Sequence, residues 1–195
     1  MKRTSVLIPN GSPLADIGCG SGLISQLVPS SIAYVGIDFN PNYLAHDWKG
    51  RQVDGRVGGD ILCLPFQDEA FRTVLLLHVI EHFPAEKQLT LLSEAYRVLA
   101  RKGTFIISTP NLDTYRNADK FLPPNNPKHY HCLHIEELEA LLIRAGFDNI
   151  RRYGFDIVIE FPNKYFHLIP ETLRRRAAHL IPKLEKHLIF RAEKP

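Results

Sequence analysis

The chain has 195 residues, 45% hydrophobic and 23% charged, with a net charge of +3 and a sequence pI near 8.8. That length fits one domain with a substantial core, and no stretch reaches the length of a membrane span or of a secretory leader. Three cysteines, none in a CxxC pair, exclude a disulfide framework and read as reduced thiols in a cytoplasmic protein, and the mild basicity lacks the concentrated stripe of a nucleic-acid binder.

The first element is a short apolar strand, Leu14-Ala15-Asp16-Ile17, running into Gly18-Cys19-Gly20-Ser21-Gly22. A glycine turn at a strand end lets a ligand lie against bare backbone. The second strand, Tyr34-Val35-Gly36-Ile37-Asp38, ends in an aspartate that can accept two hydrogen bonds from a ribose diol. Together they predict a nucleoside-containing cofactor at the carboxyl edge of a parallel sheet. The glycine spacing is not the Gly-x-Gly-x-x-Gly of a dinucleotide site, and Asp16 would repel a diphosphate. An acid there suits a ligand with an ammonium and no phosphate, which favours S-adenosylmethionine (SAM) over NAD.

Further along, Val57-Gly58-Gly59-Asp60-Ile61 leads into Leu62-Cys63-Leu64-Pro65-Phe66. An apolar run, Phe71 to Leu77, reads as a central strand covered on both faces, ending at His78-Val79-Ile80-Glu81-His82. A helix over 85–100 places Leu89, Leu92, Tyr96 and Leu99 on one face, with Gly103 as its C-cap, before a fifth strand from Thr104 to Asn111. A helix from His134 stops at Gly146, a sixth strand follows over 148–159, and a last strand spans Leu188 to Ala192. The alternation predicts an α/β, doubly wound, Rossmann-like sheet, seven-stranded and mostly parallel with one antiparallel C-terminal strand, and with helices on both faces. No domain boundary is visible in 1–195.

The segment Asp16 to Gly22, followed by these motifs in this order, resembles the class I SAM-dependent methyltransferases, in the type 11 group that includes the ubiquinone-biosynthesis methyltransferases. The resemblance covers about residues 13 to 157 and the last few. It implies methyl transfer with S-adenosylhomocysteine as product. It places Asp16, Gly18, Cys19, Gly20, Asp38, Phe39, Asp60, Ile61 and His78 around the cofactor, with Asp60 and the Ile61 N–H on the adenine.

Two regions depart from a minimal core. The connection over 111–133, with Pro123, Pro124 and Pro127, leaves the fifth strand at its ligand-binding end and reads as part of the substrate pocket. The segment 161–187 keeps Leu173, Ala177, Leu180 and Leu184 at helical spacing beside Arg174, Arg175 and Arg176. It reads either as a helical insert packed on the domain or as an amphipathic surface for a membrane, lipid or partner. Family members often carry N-terminal helices over the cofactor; here the glycine turn comes early, so either the site is open, or it is closed by the insert, a second copy or a partner chain, or the chain is a truncated product.

Methyl transfer needs alignment above all, and a base when the acceptor is a hydroxyl. His78 and His82 flank the end of the fourth strand and are the candidates, with His131 a third. His78-x-x-Glu81-His82 is similar to the Glu-x-x-Glu-His metal site of some quinone O-methyltransferases, but its first acid is replaced, and no metal is expected. The cluster His129, His131, Cys132 and His134 is likewise read as a coincidence of a histidine-containing loop. The Asn/Asp-Pro-Pro-aromatic motif of amine-directed relatives is missing after the fourth strand. The resemblance therefore implies an O- or C-acceptor on a small molecule such as a quinone precursor, lipid or sugar. The rivals are a SAM-binding subunit that needs a partner, and an RNA methyltransferase.

Overall fold

The structure, a computed structural model, describes residues 7–9, 11–46, 48, 53–114, 130–153, 155–157 and 185–195. The segment 161–184 and residues 115–129 of the long connection lie outside the described residues, and so does His129. Strands β1 (Leu14–Ile17), β2 (Tyr34–Asp38), β3 (Gly55–Gly58), β4 (Phe71–Leu77) and β5 (Leu99–Pro110) run parallel. Strand β8 (Glu185–Glu193) is antiparallel to β5 and to both β6 (Asp148–Arg152) and β7 (Phe155–Ile157). The order is β3-β2-β1-β4-β5-β8-β6, and β7 also pairs with β8. Arg152 opposes Phe190 and Phe155 opposes His187, so β6 and β7 are one interrupted strand and the sheet has the expected lanes. The chain winds from β1 out to β3 and returns to β4 beside β1. That reversal creates the crevice at the carboxyl ends where such sheets bind ligands.

Alternation within the strands sends side chains to two cores. Ala15, Ile17, Val74, Leu76, Phe105 and Ile107 face α2 (Ala85–Val98) and α3 (Ile135–Arg144). On the opposite face Leu14, Tyr34, Leu75, Ile106 and Ile189 meet Trp48, which is fully buried. The helical cover on this side is short among the described residues: a 3-10 turn at Leu23–Leu27 and α1 at Pro41–Ala45. Trp48 supplies the bulk, and Gly22 and Gly36 make room for it, since a Cβ at either position would strike the indole. Arg56 covers the ring's other side with its guanidinium carbon 4.6 Å from the centroid.

Several expectations are corrected. Helix α2 ends at Val98, and Gly103 is not its cap; β5 already begins at Leu99. Phe71 pairs with Leu99 and Thr73 with Thr104, so β5 bulges at Lys102 (φ 56) and Gly103, where a Cβ would lie 2.6 Å from the Ala100 carbonyl oxygen. Leu89 and Tyr96 are half-buried, whereas Gln88, Leu91, Leu92, Ala95 and Val98 form the buried face. Gln88 belongs there because its amide donates to the carbonyls of Ile80, Phe83 and His131. The α2 carboxyl end is held by Lys194, 8% exposed, whose ammonium donates to the Tyr96 and Leu99 carbonyls at 3.1 and 2.9 Å. Lys194→Met should cost about 1–2 kcal/mol in denaturant unfolding, because two carbonyls lose a charged partner. An unchanged midpoint would rule the clamp out. Among the described residues no helix is long and apolar enough to cross a membrane.

Candidate active site

The turn after β1 is held from both sides. Gly18 and Cys19 donate their N–H groups to the Ile37 carbonyl at 2.8 and 3.0 Å, and the Gly20 N–H reaches Asp38 Oδ2 at 2.9 Å. Asp38 is 6% exposed and also accepts from the Asn40 N–H through Oδ1 at 2.9 Å. The carboxylate is therefore fixed in orientation, and each oxygen keeps a lone pair for a hydroxyl. Gly20 has φ +52 and open space where a Cβ would stand. It is the one glycine of the three whose missing Cβ fronts open space rather than another side chain. A Cβ on Gly18 would meet Val79, and one on Gly22 would meet Trp48. Cys19 offers no side chain to a cofactor: its thiol is buried in the second core, where burial and then the charge of Asp16 push its pKa up.

Asp16 lies beneath this turn, 2% exposed, and accepts a hydrogen bond from the Tyr34 hydroxyl. Burial pushes its pKa up to about 7; the Tyr34 bond opposes that shift and the charge of Asp38 adds to it. Phe39 follows Asp38 with its ring 79% exposed. Beyond β3, Asp60 is exposed and turns back to accept the Leu62 N–H at 2.9 Å, while Ile61 is buried in the core. An open glycine, two carboxylates and an exposed aromatic ring thus sit at the ends of neighbouring parallel strands. They suit a ribose and an adenine, and none of these groups is a cation for a diphosphate.

Residues 15–107 match the family described as a methyltransferase domain. A probable SAM-dependent methyltransferase of Mycolicibacterium smegmatis is 34% identical over 140 residues, covering 71% of this chain and 52% of that protein. The human probable tRNA methyltransferase 9B is 36% identical over 99 residues, covering 50% of this chain and 21% of that protein. The chain thus spans about half the length, or less, of these relatives. A SAM-dependent methyltransferase structure from Archaeoglobus fulgidus superposes with a TM-score of 0.71 at 23% identity, covering 98% of this chain and 90% of that one. The chain carries a class I SAM-dependent methyltransferase domain.

In the methyltransferase domain the three candidate histidines come from two segments. His78 follows β4 in the left-handed region (φ 56), its N–H bound to the Ser108 carbonyl at 2.8 Å and its side chain 49% exposed. A non-glycine residue there stores strain of about 1 kcal/mol, which is common at functional sites. His82 closes the 3-10 turn Ile80–His82 with its side chain exposed. His131 is half-buried; its N–H and that of Tyr130 both reach the Glu81 carbonyl, at 3.2 and 2.8 Å.

Sequence reasoning missed two groups here. Glu81 is 1% exposed, accepts from the Thr109 hydroxyl at 3.1 Å and stands 3.4 Å from His78 Nδ1. Its burial has no local sequence signal; only its spacing from His78 marked it. His187, one residue before the predicted last strand, lies edge-on to the His78 ring with centroids 5.0 Å apart. Cys132 is buried nearby, its pKa pushed up to about 11 by burial and by the charge of Glu81. Among the described residues no three His, Cys, Asp or Glu side chains gather closely enough to hold a metal.

Proposed function

We propose that this domain transfers a methyl group from SAM to an oxygen or carbon acceptor on a small molecule. Asp38 would hold the ribose, Asp60 and Ile61 the adenine, and Asp16 the ammonium end. The bound cofactor supplies a methyl group already activated on a sulfonium. The protein's own work is to orient the acceptor and take its proton. The observation that carries the reading is the pair His78–Glu81: a half-exposed imidazole at the crevice rim with a buried carboxylate behind its Nδ1. An acceptor hydroxyl would pass its proton to His78 Nε2, and Glu81 would hold the ring and balance its charge.

The relationship to a human protein named for tRNA favours a second reading, with RNA as the acceptor. One experiment separates the two. The chain is given SAM with a radiolabelled methyl group, and either a low-molecular-weight cell extract or total tRNA. Label is expected in the small-molecule fraction. His78→Asn should lower that transfer by about 10²–10⁴-fold, the usual worth of a general base, while leaving the fold intact by circular dichroism. Label confined to tRNA would overturn the small-molecule reading, and full activity in the variant would overturn the role of His78.

A further inference from the structure

Helix α2 carries an ion pair that the chemistry above does not use. Arg97 is paired with Glu94 through two bonds, Nε to Oε1 and Nη2 to Oε2, each 2.8 Å, and its two terminal nitrogens also reach the segment after β3. Nη2 donates to the Leu64 carbonyl at 3.0 Å, and Nη1 to the Phe66 carbonyl at 2.7 Å and Asp68 Oδ1 at 2.9 Å. Glu94 Oε2 accepts the Leu64 N–H at 2.8 Å. Both polar groups of Leu64 are thus taken by one Arg–Glu pair. Arg97 also holds the Glu94 carboxyl below its usual range.

Leu64 is where the turn at Asp60 ends. The Cys63 N–H closes on the Asp60 carbonyl at 3.1 Å, and the Leu62 N–H takes Asp60 Oδ1. Among the described residues this leaves Asp60 Oδ2 and the adjacent Ile61 N–H without partners, an acceptor beside a donor. The edge of adenine offers the matching donor and acceptor, an amino group beside a ring nitrogen. Hypoxanthine, with a carbonyl and a protonated ring nitrogen, offers the reverse.

We propose that Arg97 is a positioning residue for cofactor recognition: paired with Glu94, it fixes the far end of this turn so that Asp60 and Ile61 select adenine. This rests on the assignment of those two residues to the base. A guanidinium has the fork that two carbonyls and two carboxylates require, and an ammonium does not. Without it, the turn keeps its anchor in the core through Ile61 and Leu64, 6% and 4% exposed, but loses the bonds that set its orientation.

The test measures calorimetric affinity for S-adenosylhomocysteine and for S-inosylhomocysteine, in which the 6-amino group is replaced by oxygen. The wild type should prefer the adenosine compound by about a hundredfold or more, because the wrong base leaves polar groups facing like partners. In Arg97→Met the adenosine affinity should fall at least about tenfold and the preference should collapse towards one. Arg97→Lys should lie between, and is read alone if the Met variant does not fold. A folded variant with wild-type affinity and preference overturns the proposal. A wild-type preference near one overturns the adenine assignment itself, and the proposal with it. General loss of stability would not change the ratio of two affinities measured on folded protein.

Discussion

Asp16→Asn is expected to stabilise the fold at pH 8 relative to pH 5 by about 2–3 kcal/mol more than the wild type changes over the same interval. The carboxyl of Asp16 titrates near 3.8 when solvated and is pushed up to about 7 by burial in the folded protein. Below the lower value both states are protonated and no cost appears. Between the two values the folded protein holds a proton that the unfolded chain has lost, so this group makes stability fall as pH rises. Above about 7 the curve levels, with the ionised carboxylate fully buried at its largest cost. Asparagine cannot ionise, yet still accepts the Tyr34 hydroxyl. Urea unfolding of both proteins at the two pH values reads the difference, since all other titrations are shared. Parallel pH profiles would mean that Asp16 carries its charge in the fold without penalty. The carboxylate proposed to face the cofactor's ammonium is lost as well, so the gain in stability should come with weaker SAM binding.

Asp38→Ala is expected to weaken S-adenosylhomocysteine binding by about 10²–10⁴-fold. Two hydrogen bonds from ribose hydroxyls to a fixed carboxylate are worth about 1.5–3 kcal/mol each. The substitution also strips the Gly20 and Asn40 N–H groups of their acceptor, so the glycine turn loses its tie to β2. Asp38→Asn keeps the shape and loses the charge, and should fall between. Calorimetry on folded variants decides. Wild-type affinity in the alanine variant would remove Asp38 from the site.

The elements nearest the cofactor were the most legible. Strands β1, β2 and β4 are short apolar runs that end abruptly in aspartate, glycine or histidine, and covered parallel strands have few other sequence solutions. What failed depends on contacts far apart in the chain. Hydropathy selects Leu89 for the inner face of α2; the structure buries Gln88 instead, because three carbonyls from two other segments satisfy its amide. Gly103 has the pattern of a helix stop but serves a bulge set by the pairing of β5 with β4. The thiol of Cys19, in the glycine turn, packs into the core beside Trp48 because Gly36 leaves room for both, which the turn's own sequence does not announce. At the site itself Asp16, Asp38 and Asp60 stand out by motif, whereas the roles proposed for Glu81 and Arg97 rest on contacts with Thr109 of β5 and with the segment after β3, which no local pattern announces.

The packing of Trp48 against Gly22 and Gly36 has a practical side. It is the only tryptophan in the chain, and its indole touches the underside of the glycine turn whose upper side faces the crevice. Indole emission excited selectively in this protein therefore originates from a single site within one residue layer of the cofactor loop. The fold carries its own optical label there, with the guanidinium of Arg56 stacked on it.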